Sequence, residues 1–366
     1  GITILLYPGA QHIRFQHAIG AMHLMQIALK NLRAKEIDIS EKEEIGALLA
    51  ILLHDIGHGP FSHTLEHSIL DDVNHENISS HLMHQINAQM NGKLSLAIQI
   101  FENKYDRPFF HQLVSSQMDM DRLDYLRRDS FYTGVSEGTV GIERIIQMLN
   151  VRNSQLIIDQ KGIYSVEKFL MARRFMYWQV YLHKTSIAAD ELLLNILKRA
   201  KALIDTQETI KVSPYLQFFL ENSFSKHDLS NPDVIENFCN LDDSEIYSAI
   251  KIWQNSNDKT LSTLCKMLIN RDLLKIELFD SPISSQSVNE KISETSKYLN
   301  INLPDASYFV SVGELKNNAY TSIGDSLKIG MKNGELKELS ETSEIYNLTN
   351  HQKPQVKYYI TSLKLD

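Results

Sequence analysis

The chain has 366 residues, 43% of them apolar, which is material for one large domain or two ordinary ones and excludes the disordered class. A net charge of −8 and a pI near 6.0 argue against a protein bound chiefly by nucleic-acid phosphates, while leaving room for a local basic pocket that takes a small polyphosphate. No stretch approaches the roughly 20 uninterrupted apolar residues of a membrane span. Gly1–Gly9 lacks the basic start and cleavage site of a signal peptide, so the expectation is a soluble, cytoplasmic protein with no membrane partner. Cys239 and Cys265 lie among apolar neighbours and read as two buried thiols in a reducing compartment.

The first two hundred residues read as helices joined by short loops. Arg14–Leu32 has apolar residues at helical spacing, and Glu41–Ile56 follows, with Ser40 and Glu43 placed for a capping box. Gly57, Gly59 and Pro60 end that helix in a turn. Further helices are predicted at Glu76–Met90, Lys93–Lys104, Phe109–Ser116, Asp121–Phe131 and Gly141–Asn150. Gln155–Ile158 is β-prone and Ile163–Ser165 can return, which predicts a small hairpin; Ser165 then caps a long helix to about Ile204. Helical stretches follow at Ser213–Asn222, Asp243–Asn255 and Lys259–Asn270. In the last ninety residues or so, Leu274–Phe279, Tyr308–Val312, Ser326–Met331 and Val356–Leu363 read as strands, Ser285–Tyr298 as a helix and Asn333–Gly334 as a hairpin turn. The fold class is therefore mainly α: a helical bundle with a small β-hairpin over 1–204, a helical extension over 205–270 and a smaller α/β lobe over 271–366.

Histidine is unevenly placed: 11 of the 14 lie in the first 111 residues, which points to metal or proton chemistry there. His17 sits one turn after Arg14 on the first helix, His54 and Asp55 close the second, and Asp121 begins a later one. Two imidazoles and two carboxylates make a mixed N/O set suited to Mn²⁺, Fe²⁺, Zn²⁺ or Mg²⁺, with coordination positions left for water and a phosphate oxygen. Taken singly, His17 reads more readily as a hydrogen-bonded histidine and Asp121 as a helix N-cap. The string His54-Asp55-Ile56-Gly57-His58-Gly59-Pro60-Phe61-Ser62-His63 is a stronger signal, because several polar side chains surround an enforced turn.

That string resembles the signature of the HD superfamily, in the version found in deoxynucleoside triphosphate triphosphohydrolases. Tyr7–His17 is similar to the segment that supplies the family's first histidine ligand, and Asp119–Asp129 to the one that supplies its last aspartate. Arg173–Lys184 resembles a stretch of the family's long substrate-facing helix, so the resemblance covers about residues 5–200 in order and spacing. It implies an HD-domain bundle in which His17, His54, Asp55 and Asp121 hold a divalent metal. His58, His63 and His75 would line the reacting phosphate, and either His63 or His75 would protonate the leaving 5′-oxygen. Glu66 stands where the family carries an acidic residue that orients a histidine; His67, His81 and His84 read as exposed helix or loop histidines.

Arg122, Tyr125 and Asp129 fall at i, i+3 and i+7 on one helix face, a cation, an aromatic hydroxyl and a carboxylate in line. The resemblance gives them phosphate, sugar ring and sugar 3′-hydroxyl, makes Arg173 a phosphate clamp, and sets Tyr181 against the sugar's 2′ carbon; Arg14 joins the substrate contacts. The implied activity is hydrolysis of a deoxynucleoside triphosphate to deoxynucleoside and inorganic triphosphate, by a homodimer or tetramer that takes a small-molecule nucleotide and responds to a nucleotide effector. Two rivals stand beside it: the same metal chemistry on another phosphoester, such as a nucleoside monophosphate or cyclic nucleotide, and a non-catalytic nucleotide- or single-strand-binding scaffold. The acidic pI speaks against nucleic acid as partner.

Overall fold

A computed structural model of the chain describes residues 2–70, 72–208, 210–317, 327–343 and 355–365. The first two predicted helices are present as α1 (Arg14–Ala34) and α2 (Glu41–Leu53). The capping box opens α2 as expected: Ser40 Oγ accepts from the Glu43 amide at 3.3 Å and Glu43 Oε2 accepts from the Ser40 amide at 2.8 Å. Glu43 also accepts from the Tyr105 hydroxyl and from Arg107, which ties this helix start to a distant loop. Short α3 (Glu66–Ile69) precedes α4 (His75–Gln89), α5 (Ser95–Phe101), α6 (Phe109–Val114), α7 (Met120–Thr133) and α8 (Ile142–Met148).

The expected hairpin exists, with a different partner. Strand β1 (Leu149–Arg152) pairs antiparallel with β2 (Gln155–Asp159) across a two-residue turn, Asn153 and Ser154, both in the left-handed region. Ile163–Ser165, expected as the returning strand, instead opens α9 (Ile163–Met176), and Ser165 is not its cap. The reason is the helical spacing of Val166, Phe169 and Leu170, all fully buried, which claims this segment for a helix face. The long helix expected to run to Ile204 is interrupted. A π-turn occupies Tyr177–Tyr181, and α10 (Lys184–Asp205) starts afresh with His183 Nδ1 accepting from the Thr185 amide at 3.1 Å.

Four helices follow: α11 (Pro214–Glu221), α12 (Pro232–Cys239), α13 (Asp243–Trp253) and α14 (Lys259–Ile269). Cys265 is buried, but Cys239 is exposed, against expectation: it ends α12 one residue past Phe238, about 100° round from the buried stripe of Val234, Ile235 and Phe238. Then come β3 (Lys275–Phe279), α15 (Ser285–Leu299), α16 (Leu303–Ala306), β4 (Val312–Asn317), β5 (Lys328–Gly330), β6 (Leu336–Glu338), α17 (Leu339–Thr342) and β7 (Gln355–Ser362). The strand expected at Tyr308–Val312 begins only at Val312. Phe309 is fully buried in a 3₁₀ turn, Ser307–Phe309, and Tyr308 lies against Arg199, so these side chains do not alternate as a strand requires. Ser326, first in another expected strand, lies outside the described residues, while the turn at Asn333–Gly334 joins β5 to β6 as read.

One sheet has the order β3-β7-β4 and is antiparallel. The other, β1-β2-β5-β6, joins the hairpin of the bundle to the C-terminal part through a parallel β2–β5 pairing. Two apolar cores result. One unites α1, α2, α5–α9 and the hairpin, and takes in Ile329 and Leu339 from the C-terminal part. The other unites α10–α14 with β3 and β7, and also holds Phe61, Leu65, Ile69 and Leu70 from the loop after α2. Among the described residues no helix is long and apolar enough to cross a membrane.

Candidate metal centre and active site

Three helices bring four polar side chains to one point. His17, on α1, is buried, and its Nε2 lies 3.0 Å from Asp121 Oδ1 and 3.8 Å from Asp55 Oδ2. His54 ends α2, its Nε2 3.4 Å from both Asp55 Oδ1 and Asp121 Oδ1. The two rings meet edge to face with centroids 5.5 Å apart. Asp121 is in the first turn of α7 but does not cap it. Asp119 does so, accepting from the Arg122 amide at 2.6 Å, and the Asp121 carboxylate is left to face the histidines.

Hydrogen bonds at Nδ1 fix both imidazoles. His17 Nδ1 bonds Asp124 Oδ2 at 2.8 Å, and His54 Nδ1 donates to the Ile51 carbonyl at 2.6 Å. Each ring is thereby held with Nε2 towards the carboxylates. His54 Nε2 is buried and has no hydrogen-bond partner among the described residues, the mark of a nitrogen placed for a cation. Arg128 clamps Asp124 with two bonds, 2.8 and 3.0 Å. Gly20 makes the arrangement possible, since a Cβ there would sit 2.1 Å from Asp124 Oδ1 and 2.2 Å from Arg128 Nη2. The electrostatics agree. Burial works against a charged His17, but hydrogen bonds to Asp121 and Asp124 and the charges of Asp121 and Asp55 raise its pKa to about 10. Burial likewise opposes a charged Asp55, yet His58, His54 and Arg14 hold it well below the carboxylate range. A cluster that favours positive charge this strongly, with nitrogen and oxygen donors preset, fits a divalent metal.

Beside this point, the left-handed Phe61 and Ser62 turn the chain sharply. The Phe61 amide donates to Asp243 Oδ1 on α13 at 2.7 Å, and Thr64 Oγ1 donates to Asp190 Oδ1 on α10 at 2.7 Å. His58 stacks on His75, centroids 3.9 Å apart, and its Nε2 lies 3.4 Å from Asp55 Oδ1. Burial lowers the His58 pKa to about 4, opposed by the Asp55 bond and aided by Arg14. Glu66 Oε1 accepts from both the amide and Nδ1 of His75, at 2.7 Å each. Arg14 bonds Asp55 Oδ2 at 2.7 Å and Ser62 Oγ at 3.0 Å. The His63 and His67 side chains lie outside the described residues; His81 and His84 sit on α4, His84 against Glu102.

Next to Asp121 a second group gathers. Tyr125 is surrounded by Tyr177, Arg173, Arg122 and Asp121, and burial with the neighbouring phenol raises its pKa. Asp129 Oδ2 accepts from the Tyr181 hydroxyl at 2.5 Å, and its Oδ1 bonds His12 Nε2 at 2.8 Å. Arg122 is held by the Ser116 carbonyl and by Asp119. Arg173 is buried and meets Gln117 Oε1 at 3.4 Å; among the described residues its buried Nε has no partner and no carboxylate pairs with it.

The HD-domain family matches residues 14–127 and its HD-associated region residues 140–213. The uncharacterised protein YwfO of Bacillus subtilis is 32% identical over 94% of this chain and 80% of its own length. The crystal structure of a phosphohydrolase from Bacteroides thetaiotaomicron superposes with a TM-score of 0.96 at 49% identity, covering 100% of this chain and 91% of that one. The chain belongs to the HD-domain phosphohydrolase family. A deoxynucleoside triphosphate triphosphohydrolase homologue from Dictyostelium discoideum is more distant, 27% identical over 66% of this chain and 52% of its own. As an HD-domain phosphohydrolase the protein is metal-dependent, and the His/Asp cluster is where a divalent ion fits.

The four residues expected to hold the metal thus lie at one place, and Glu66 bonds His75. Sequence reasoning missed Asp124, Arg128 and Gly20, which position His17, and Asp190 and Asp243, which position the loop. Asp124 had one available signal, its place three residues after Asp121 on a helix face. The loop anchors had none, because they lie more than a hundred residues downstream.

Proposed function

We propose that this HD-domain enzyme hydrolyses deoxynucleoside triphosphates to deoxynucleoside and inorganic triphosphate. The observation that carries the reading is Arg173, a buried guanidinium without an acidic partner among the described residues, in one group with Tyr125, Arg122 and Asp121. A buried cation in want of an anion, next to a metal centre, suits a polyphosphate. His17, His54, Asp55 and Asp121 would hold the ion, which when bound supplies Lewis-acid polarisation of a phosphate oxygen and of water. Arg173 and Arg122 orient the phosphates and stabilise charge that develops on them. Asp129 receives the sugar hydroxyl, and the Tyr181 ring excludes a 2′ substituent.

His58, whose pKa burial lowers to about 4, is neutral at pH 7 and lines the phosphate rather than supplying the proton. The proton for the leaving 5′-oxygen then comes from His75 or His63. Glu66 gives His75 the Nδ1–H tautomer and leaves proton exchange to Nε2. Support for the substrate comes also from the Dictyostelium relative, whose name carries this activity. Assembly as a homo-oligomer with a nucleotide effector belongs to the same proposal.

The test is product analysis. Purified protein with each of the four deoxynucleoside triphosphates, singly and mixed, under Mn²⁺ and Mg²⁺, should release deoxynucleoside and triphosphate, and His54→Ala/Asp55→Ala should not. Turnover only in the mixture adds an effector site. Mono- or diphosphate products, or activity confined to another phosphoester, would overturn the reading.

A further inference from the structure

The segment before α1 contains more than Arg14 and His17. Tyr7, Gly9 and His12 belong to the same motif, and nothing in the proposed reaction uses them. Gly9 lies against the end of α7, where a Cβ would come within 2.6 Å of the Tyr132 carbonyl oxygen, so a side chain would push the segment away. The close approach stacks His12 on the Tyr132 ring, centroids 4.7 Å apart with 26° between the planes. It also puts His12 Nε2 at 2.8 Å from Asp129 Oδ1, while Asp129 Oδ2 takes the Tyr181 hydroxyl at 2.5 Å. Tyr7 reaches the same π-turn separately, its hydroxyl donating to the Gln179 carbonyl at 2.7 Å.

We infer that His12 is a positioning residue for sugar recognition, acting through Asp129. The inference rests on the proposal that the substrate is a deoxynucleoside triphosphate whose 3′-hydroxyl meets Asp129. An ionised carboxylate only accepts, so His12 donates from Nε2, and this assigns its tautomer. The other nitrogen, Nδ1, is then a bare acceptor, buried and without a hydrogen-bond partner among the described residues. Such a group costs stability, so the ring is better explained by what its other nitrogen holds than by packing alone. With His12 on one oxygen and Tyr181 on the other, the Asp129 carboxylate cannot rotate. Its remaining lone pairs have fixed directions, and a sugar hydroxyl meets an acceptor already in place.

The test compares a deoxynucleoside triphosphate with its 2′,3′-dideoxy counterpart in wild type, His12→Ala and His12→Gln. His12→Ala should raise KM for the deoxy substrate about tenfold, the effect of losing one charge-assisted hydrogen bond, with a smaller change in kcat. KM for the dideoxy substrate should stay at the wild-type value, because the hydroxyl that Asp129 receives is gone. His12→Gln, whose amide can donate from near the Nε2 position, should restore most of the deoxy KM. Equal losses on both substrates, or no recovery with glutamine, overturn the inference and leave the substrate assignment standing. A wild-type enzyme that leaves the deoxynucleoside triphosphate intact removes that assignment and this inference together, and the wild-type control shows it before any variant is compared.

Discussion

At the residue scale, the two histidines proposed to hold the metal are as much a product of their outer partners as of their own positions. His17 presents Nε2 to Asp121 because Asp124 occupies Nδ1, and Asp124 is in turn held by Arg128 in the space Gly20 leaves. Replacing Asp124 by asparagine keeps the shape and removes the charge, so the ring loses its preferred tautomer. Metal affinity of Asp124→Asn should fall roughly 10- to 100-fold, read as metal retained on dialysis against a chelator series, with the helical circular dichroism unchanged. Wild-type retention would mean that Asp124 serves only the packing of α1 on α7.

At the element scale, local rules and distant contacts meet at the start of α2. Ser40 and Glu43 were legible as a capping box, but not the two further donors, Tyr105 and Arg107, that share Glu43. Burial alone would raise the Glu43 pKa; bonds from Ser40, Arg107 and Tyr105 outweigh it and lower it to about 2. A carboxylate depressed in the folded state contributes stability above its unfolded pKa, near 4.5, and loses it as pH falls towards 2. Glu43→Gln should therefore cost about 2 kcal/mol at pH 7 by chemical denaturation, and the gap from wild type should close between pH 4.5 and 2. The π-turn Tyr177–Tyr181 teaches the complementary lesson. Its residues have good helical spacing, yet a wider turn lets Tyr181 reach Asp129 on α7, a demand no local pattern encodes.

At the scale of the whole molecule, the loop after α2 lies between the two cores. His58 of this loop lies against Asp55, while Phe61, Leu65 and Ile69 pack into the core built by later helices. Asp243 and Asp190 add polar anchors from α13 and α10. Burial pushes the Asp190 pKa up to about 6, against the Thr64 bond and with the Glu191 charge adding to it. A carboxyl raised in this way contributes stability when protonated, in full below about pH 4, and loses it as pH rises through 6. Asp190→Asn keeps the acceptor for Thr64 and removes the buried charge. Its Tm should exceed that of wild type at pH 8, by about 1–2 kcal/mol of stability, and the advantage should vanish near pH 4. A constant offset across that range would show that Asp190 acts by shape alone.

The sequence by itself determined most of the bundle and the metal cluster. Helical periodicity, the Ser40 box and the Gly57–Pro60 break are local, and the HD motif marks His17, His54, Asp55 and Asp121 as the candidate metal residues. Only the tertiary structure decided which strand pairs with β2, where α9 gives way to the π-turn, and which distant carboxylates hold the loop after α2. Those outcomes depend on contacts between residues tens to hundreds of positions apart. A chain read in short windows registers its own periodicity and caps, but not the neighbour that later packing sets beside it.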